Sequence, residues 1–203
     1  MQEKLRSLTR EERVRQIFER PGIIQEGHFR LSSGLHTSQF VEKTLIYPHT
    51  SDTSDLCEMI ANDFKDKNVE VVVCPAVGGI ILSDKTAANL SRMTEREVLG
   101  IFVEKKDEEM RFRKEELGEL VRSKKVLIVD DVLTTGESIR QTIRAVQKFG
   151  GVVVGVAVLC NRGDVKLEDI GVDKIDALFT LKLDLYKPEE CPHCGRNEPL
   201  QIT

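Results

Sequence analysis

Val126-Leu127-Ile128-Val129-Asp130-Asp131-Val132-Leu133-Thr134-Thr135-Gly136-Glu137-Ser138 carries the strongest signal in the chain. Val126 to Val129 reads as a buried strand, two adjacent carboxylates stand at its end, and a small hydroxyl-rich turn with Gly136 leads into a helix predicted over Ser138 to Phe149. The turn and the helix start present backbone N–H groups together with the hydroxyls of Thr134, Thr135 and Ser138, which suits a phosphate monoester. The two aspartates would repel that phosphate if they faced it. They are therefore free to receive hydroxyl donors of a sugar, or a metal. A capped helix with acidic residues complementing its dipole would explain one Asp and one Thr, but not the whole string.

Outward from this segment, strand and helix patterns alternate. A helix is expected over Leu8 to Glu19, stopped by Pro21-Gly22, and a short antiparallel hairpin or arch over Gly27 to Val41. A helix from Thr53 to Lys67, capped by Ser51 or Asp52, precedes a buried strand from Val69 to Cys74. Ile80 to Leu90 reads as the next helix, Val98 to Val103, Val152 to Leu159 and Ala177 to Leu181 as strands. The alternation predicts an α/β fold, a parallel sheet flanked by helices on both faces. Such sheets bind ligands beyond the carboxyl ends of their strands, which directs attention to the loops after Cys74, Val103, Val129 and Leu159. After Cys74, the turn Pro75-Ala76-Val77-Gly78-Gly79-Ile80 permits close approach to an anion, although a glycine turn between strand and helix is also simple geometry. Glu104 to Lys125 is mostly charged and reads as a mobile excursion with short strand or turn pieces.

No repeat or linker divides the 203 residues. The chain is expected to fold as one domain: 1–50 an N-terminal helix and hood, 51–186 the α/β core, 187–203 a tail. With 40% hydrophobic and 32% charged residues and a net charge of -4, it lacks the broad basic field of a nucleic-acid binder, favouring a small substrate. Met1 to Arg20 holds no apolar run suited to a signal peptide or membrane span, and Cys57, Cys74 and Cys160 read as free buried thiols, so a cytoplasmic location is expected. Cys191-Pro192-His193-Cys194 offers half of a structural zinc site. Completing it would need another chain or one of Cys57, Cys74 and Cys160, since His28, His36 and His49 show no metal-ligand spacing.

The string from Val129 to Ser138 resembles the phosphoribosyl pyrophosphate signature of the type I phosphoribosyltransferases. Gly27-His28-Phe29-Arg30-Leu31-Ser32-Ser33-Gly34-Leu35-His36-Thr37-Ser38 resembles the N-terminal arch of the orotate-specific branch, and the likeness extends over roughly Gly27 to Tyr186. It implies a small N-terminal hood and a flexible loop added to the α/β sheet. By resemblance, Asp130 and Asp131 hold the ribose 2′ and 3′ hydroxyls, and the phosphoribosyl pyrophosphate site continues through Val132, Leu133, Thr134, Thr135, Gly136, Glu137 and Ser138, with Thr134 to Ser138 around the 5′-phosphate. Ala76, Val77, Gly78 and Gly79 face the pyrophosphate.

The same resemblance implies that Phe40 packs against orotate while Thr134 and Arg162 contact it, a guanidinium suiting its planar carboxylate. A solvated surface Arg162 is the plain alternative, as is a core role for Phe40. The loop Glu104 to Lys114 would reach the neighbouring subunit's site, implying a homodimer. Lys105 would join Asp130 and Asp131 as a catalytic group and contact pyrophosphate with Arg111 and Arg113. Magnesium is expected through the substrate rather than through protein ligands. The loop departs from the better-known pattern at Glu104, Glu108 and Met110, where many members carry Arg, Lys and His. Transfer to orotate in pyrimidine nucleotide synthesis is therefore the leading expectation. Transfer to a purine or other base, or a regulator that binds phosphoribosyl pyrophosphate without catalysis, are the alternatives.

Overall fold

The computed structural model of the protein describes residues 8–202 apart from Ser32 and Asp164. Ser32, part of the arch motif, thus lies outside the described residues. Helix α1 (Arg10–Phe18) starts from Thr9, whose hydroxyl accepts the Glu12 N–H while the Glu12 carboxylate accepts the Thr9 N–H. Strands β1 (Ile24–Arg30) and β2 (His36–Val41) form the expected antiparallel hairpin. After it come helix α2 (Thr50–Phe64), strand β3 (Val71–Pro75), helix α3 (Ile80–Thr94) and strand β4 (Leu99–Lys106). A short strand β5 (Glu109–Arg111) and helix α4 (Glu115–Glu119) lead to β6 (Lys125–Leu133) and helix α5 (Glu137–Lys148). The chain continues through β7 (Val152–Asn161), a turn of helix α6 (Leu167–Ile170), β8 (Ile175–Thr180), β9 (Leu185–Tyr186), α7 (Pro192–Gly195) and β10 (Gln201–Ile202).

The main sheet has the order β5-β4-β3-β6-β7-β8 and is parallel except at β5. Strand β6 lies in its middle, with Ile128 opposite Val73 on one side and Val156 on the other. Both faces are buried, which is why β6 reads as a continuous apolar run rather than an alternation. Leu127 and Val129 join Val72 and Cys74 under α1, α2 and α3, through residues such as Phe18, Ile60 and Leu82. Val126 and Ile128 face the other way with Val71 and Val73, against Ile139, Ile143 and Val146 of α5. Each fully buried Leu, Ile or Val contributes roughly 1.5–3 kcal/mol of transfer free energy, so the two layers fix the plane and height of the residues that follow Val129.

The second sheet, order β10-β1-β2-β9, is the hood. Its edges come from the last residues of the region expected as the α/β core and from the region expected as a tail: β9 pairs with β2 at His36 and Thr37, and β10 lies parallel to β1 at Phe29 and Arg30. Two-residue strands have no periodicity for a sequence to display. The charged excursion becomes a tight hairpin, with Asp107 and Glu108 at φ 50° and 66° between β4 and β5. Two consecutive positive φ values match the right-handed twist of the flanking strands.

The start of α2 differs from expectation. His49 occupies the cap position and neither Ser51 nor Asp52 caps. Asp52 lies in the first turn and accepts a hydrogen bond from Arg13 at 2.7 Å, with Arg20 also on its carboxylate. A carboxylate buried to this extent is held by guanidinium partners rather than by helix amides. Arg13→Ala should therefore lower stability by about 3 kcal/mol in urea unfolding, because it strips a buried charge of a partner. Arg15→Ala, which removes an exposed pair with Glu19, should stay within about 0.5 kcal/mol.

Candidate active site

The carboxyl ends of β3, β6 and β7 open into a cleft of about 550 Å³, covered on one side by Lys43, Thr44 and Tyr47 of the hood. Asp130 and Asp131 are both buried at its floor. Asp130 Oδ1 accepts the N–H of Asp131 at 2.8 Å, and Asp131 Oδ1 lies 3.3 Å from Lys43 Nζ. Asp131 Oδ2 is buried without a hydrogen-bond partner among the described residues. It faces Gly78, where a Cβ would stand 2.0 Å from that oxygen, so glycine is what allows the turn after β3 to approach β6. Tyr47 Oη donates to the Gly78 carbonyl at 2.8 Å, tying the hood to the same turn.

Burial, and then the charge of Asp131, raise the Asp130 carboxyl to about 8, with the Asp131 amide and Lys43 pulling the other way. Burial and then the two aspartates push the Tyr47 phenol far up, so it stays a neutral donor. Near neutral pH the unliganded dyad thus keeps one proton, and its oxygens still outnumber the donors that face them. It suits a diol, or a water held by a cation.

The bend that follows has the opposite character. Gly136 adopts φ 77°, and a Cβ there would stand 2.6 Å from Ile170 Cγ2, so the left-handed turn and the close packing both require glycine. Thr135 Oγ1 accepts the Glu137 N–H at 3.4 Å, and Glu137 engages Gln141 and Arg140 one turn along, each at 2.9 Å. Its carboxyl is held below the usual range first by Gln141 and then by Arg140. Thr134 to Ser138 line the cleft at the start of α5, where amides and the helix dipole favour an anion.

Arg162 closes the third side. Its Nε donates to Thr134 Oγ1 at 2.8 Å, and its guanidinium carbon lies 5.4 Å from the centroid of the Phe40 ring. Phe40 itself leans on Phe29 with centroids 5.6 Å apart. Burial lowers the Arg162 pKa, but arginine keeps its proton in proteins, leaving a partly desolvated cation beside the cleft.

The structure brings together Asp130 to Ser138, Ala76, Val77, Gly78 and Arg162 around one cavity. Gly79 stands just behind, at the cap of α3. Lys105, Arg111 and Arg113 do not line it. They sit on the hairpin beside their own carboxylates: Lys105 2.8 Å from Glu108, Arg111 3.0 Å from Glu109, Arg113 3.4 Å from Glu104. From the hairpin only Met110 lines the cleft. Sequence reasoning misses Lys43 and Tyr47, since they lie in and after a single turn of 3-10 helix (Lys43–Leu45) with no motif spacing. A lysine and a tyrosine within the few residues after the arch strand are the available signal.

Comparison with known proteins accords with this geometry. The profile described as "Phosphoribosyl transferase domain" matches residues 51–186. The orotate phosphoribosyltransferase of Desulforamulus reducens is 36% identical over 93% of this chain and 93% of that protein. That of Pelotomaculum thermopropionicum is 38% identical over 95% of each. The chain belongs to the phosphoribosyltransferase family. Among solved structures, the Aeropyrum pernix orotate phosphoribosyltransferase superimposes with a TM-score of 0.62 at 23% identity, covering 82% of this phosphoribosyltransferase and 93% of that chain, a likeness of fold.

Asp130 also makes the phosphoribosyltransferase sensitive to pH when unliganded. Its folded-state pKa lies above the unfolded value, so its contribution is fully present below the ordinary aspartate range and is lost as pH rises through about 8. Asp130→Asn removes this slope. In scanning calorimetry the variant should show a flatter Tm profile across that window and, near pH 8, a Tm about 4 °C or more above wild type, given ~2–4 °C per kcal/mol for a chain of this size.

Proposed function

We propose that this phosphoribosyltransferase acts on orotate, transferring the 5-phosphoribosyl group from phosphoribosyl pyrophosphate to give orotidine 5′-monophosphate and pyrophosphate in pyrimidine nucleotide synthesis. The observation that carries the reading is the meeting, in one cleft, of a donor-poor carboxylate pair, an amide-lined bend and a half-buried guanidinium lying over Phe40. The relatives named above, similar over nearly their whole length, bear the orotate name.

In this reading Asp130 and Asp131 accept hydrogen bonds from the ribose 2′ and 3′ hydroxyls. Residues 134–138 hold the 5′-phosphate with their amides and hydroxyls. The sugar is then pinned at both ends, with its anomeric carbon between the dyad and the turn of Ala76 to Gly79, where pyrophosphate departs. Developing positive charge on the ribose is favoured by fixed carboxylates that need no reorganisation. Arg162 receives the orotate carboxylate through its terminal nitrogens while Phe40 supports the guanidinium plane. Asp131 Oδ2, buried and lacking a donor, also fits a water on a magnesium ion carried by the substrate. When bound, that ion neutralises charge on the leaving pyrophosphate.

Lys105, Arg111 and Arg113 serve the site of a neighbouring subunit in a homodimer, which accounts for their absence from the lining of the cleft in their own chain. The chain acts as a single domain and works in the cytoplasm. No helix among the described residues is long and apolar enough to cross a membrane.

Pyrophosphate release with magnesium and phosphoribosyl pyrophosphate should depend on orotate, and adenine, hypoxanthine and uracil should give at most a trace. Turnover of one of these with none of orotate would reassign the substrate; binding of phosphoribosyl pyrophosphate with no turnover of any base would make the protein a regulator. Arg162→Ala should raise the KM for orotate roughly 10–100-fold, the ~1.5–3 kcal/mol of a charged hydrogen bond, while leaving phosphoribosyl pyrophosphate binding in place.

The subunit arrangement has its own check. Lys105→Ala and Asp131→Ala chains, each inactive alone, should regain activity when mixed and allowed to exchange subunits. Absence of any recovery in verified mixed dimers would place Lys105 in the site of its own chain.

A further inference from the structure

His28, His36, Cys191 and Cys194 meet beneath the hood, at a distance in sequence that hides their association. His28 belongs to β1 and His36 opens β2, facing Arg30 across the hairpin. Cys191 and Cys194 flank the start of the short helix Pro192–Gly195. Each residue aims one donor atom inward, and the four atoms lie within 4.8 Å of one another. Both histidines and Cys191 are buried.

The distances between the donors resemble the edges of a small tetrahedron. Cys191 Sγ and Cys194 Sγ stand 3.5 and 3.6 Å from His28 Nε2, and Cys194 Sγ stands 3.3 Å from His36 Nδ1. With zinc bonds of about 2.0–2.1 Å to nitrogen and about 2.3 Å to sulfur, tetrahedral edges would be roughly 3.3–3.8 Å. The His28 Nε2 to His36 Nδ1 distance, 2.9 Å, must open slightly, and the remaining edges lie within 4.8 Å. The tautomer of His28 is also set. Its Nδ1 lies 3.0 Å from the Glu198 carbonyl oxygen, which can only accept, so Nδ1 carries the proton and the Nε2 lone pair points into the cluster. This is the outer-shell contact that orients a ligating imidazole. His193, inside the Cys-x-x-Cys spacing, is instead engaged by the Glu198 carboxylate. Cys57, Cys74 and Cys160, expected as partners that could complete a site with Cys191 and Cys194, are buried in the main core instead.

We propose that these four side chains form a structural zinc site, Cys₂His₂, that fastens the segment after β9 to the hood. On binding, the two thiols give their protons to solvent and the two imidazoles bind as neutral ligands. No open coordination position remains, so the ion acts on the fold rather than on a substrate. It holds β1 and β2 against β10 and so steadies the strand that carries Phe40.

The proposal is tested by metal analysis of the full chain purified without chelator. Mass spectrometry of the native protein and elemental analysis should find close to one zinc per chain, lost in Cys191→Ser, Cys194→Ser and His36→Ala. Because those variants could fold poorly, the wild-type chain supplies a second measurement. After zinc is withdrawn by a strong chelator under reducing conditions, added cobalt(II) should give the intense visible bands of a tetrahedral ion and thiolate charge-transfer absorption in the near ultraviolet. Hydrogen exchange in β1 and β10 should quicken on withdrawal and slow when zinc is returned. Protein that neither contains zinc nor takes it up at micromolar concentration would overturn the proposal, as would a cobalt spectrum without thiolate bands. A Cys191–Cys194 disulfide in freshly reduced, zinc-exposed protein would overturn it too.

Discussion

Two carboxyl groups side by side at the end of a central strand, both buried at the floor of the cleft, set the terms for the rest of this molecule. A pair of like charges buried together is unfavourable, so the unliganded dyad holds on to a proton, and the protein answers only part of the remaining cost. Lys43 reaches one oxygen of Asp131, the following amide turns back onto Asp130, and one oxygen is left without a donor. A fully compensated dyad would have nothing to offer a ligand. The shortfall makes the cleft attractive to hydroxyls and cations, and it places a local destabilisation where function needs it.

The surrounding architecture confines that shortfall. The packed layers on either side of β6 fix where the aspartates stand, because side chains alternate across a sheet that is buried on both faces. Beyond them, the chain switches within a few residues from acceptors to the donors of the bend and helix start, so negative and positive potentials lie side by side. A ligand with hydroxyls on one edge and a phosphate on the other fits this pattern in one orientation only. Gly78 lets the neighbouring turn come within reach, and Tyr47 ties the hood to that turn without adding a charge.

The main sheet and the strand-bend-helix site were legible in sequence because they rest on local signals: unbroken β-branched runs for buried strands, and a hydroxyl-rich bend before a helix. The residues that escaped are those whose meaning lies in distant pairing. Asp52 has the look of a helix cap, but it serves as the buried partner of Arg13 and Arg20. Lys43 and Tyr47 gain significance only when the hood folds over β6. His28 and His36 carry no metal spacing along the chain, and β9 and β10 are too short to announce themselves. The hairpin of the charged excursion depends on backbone angles at Asp107 and Glu108 that acidic residues do not usually advertise.

The hood is built from two stretches of chain separated by the entire core, residues 24–41 in its middle and 185–202 along its edges. During synthesis the central hairpin leaves the ribosome early and must wait, edges unpaired, until nearly all of the chain has followed. Contacts of such long sequence separation are slow to form and are natural candidates to open first when the native state fluctuates. The roof of the cleft therefore closes last, on a sheet that is already complete beneath it.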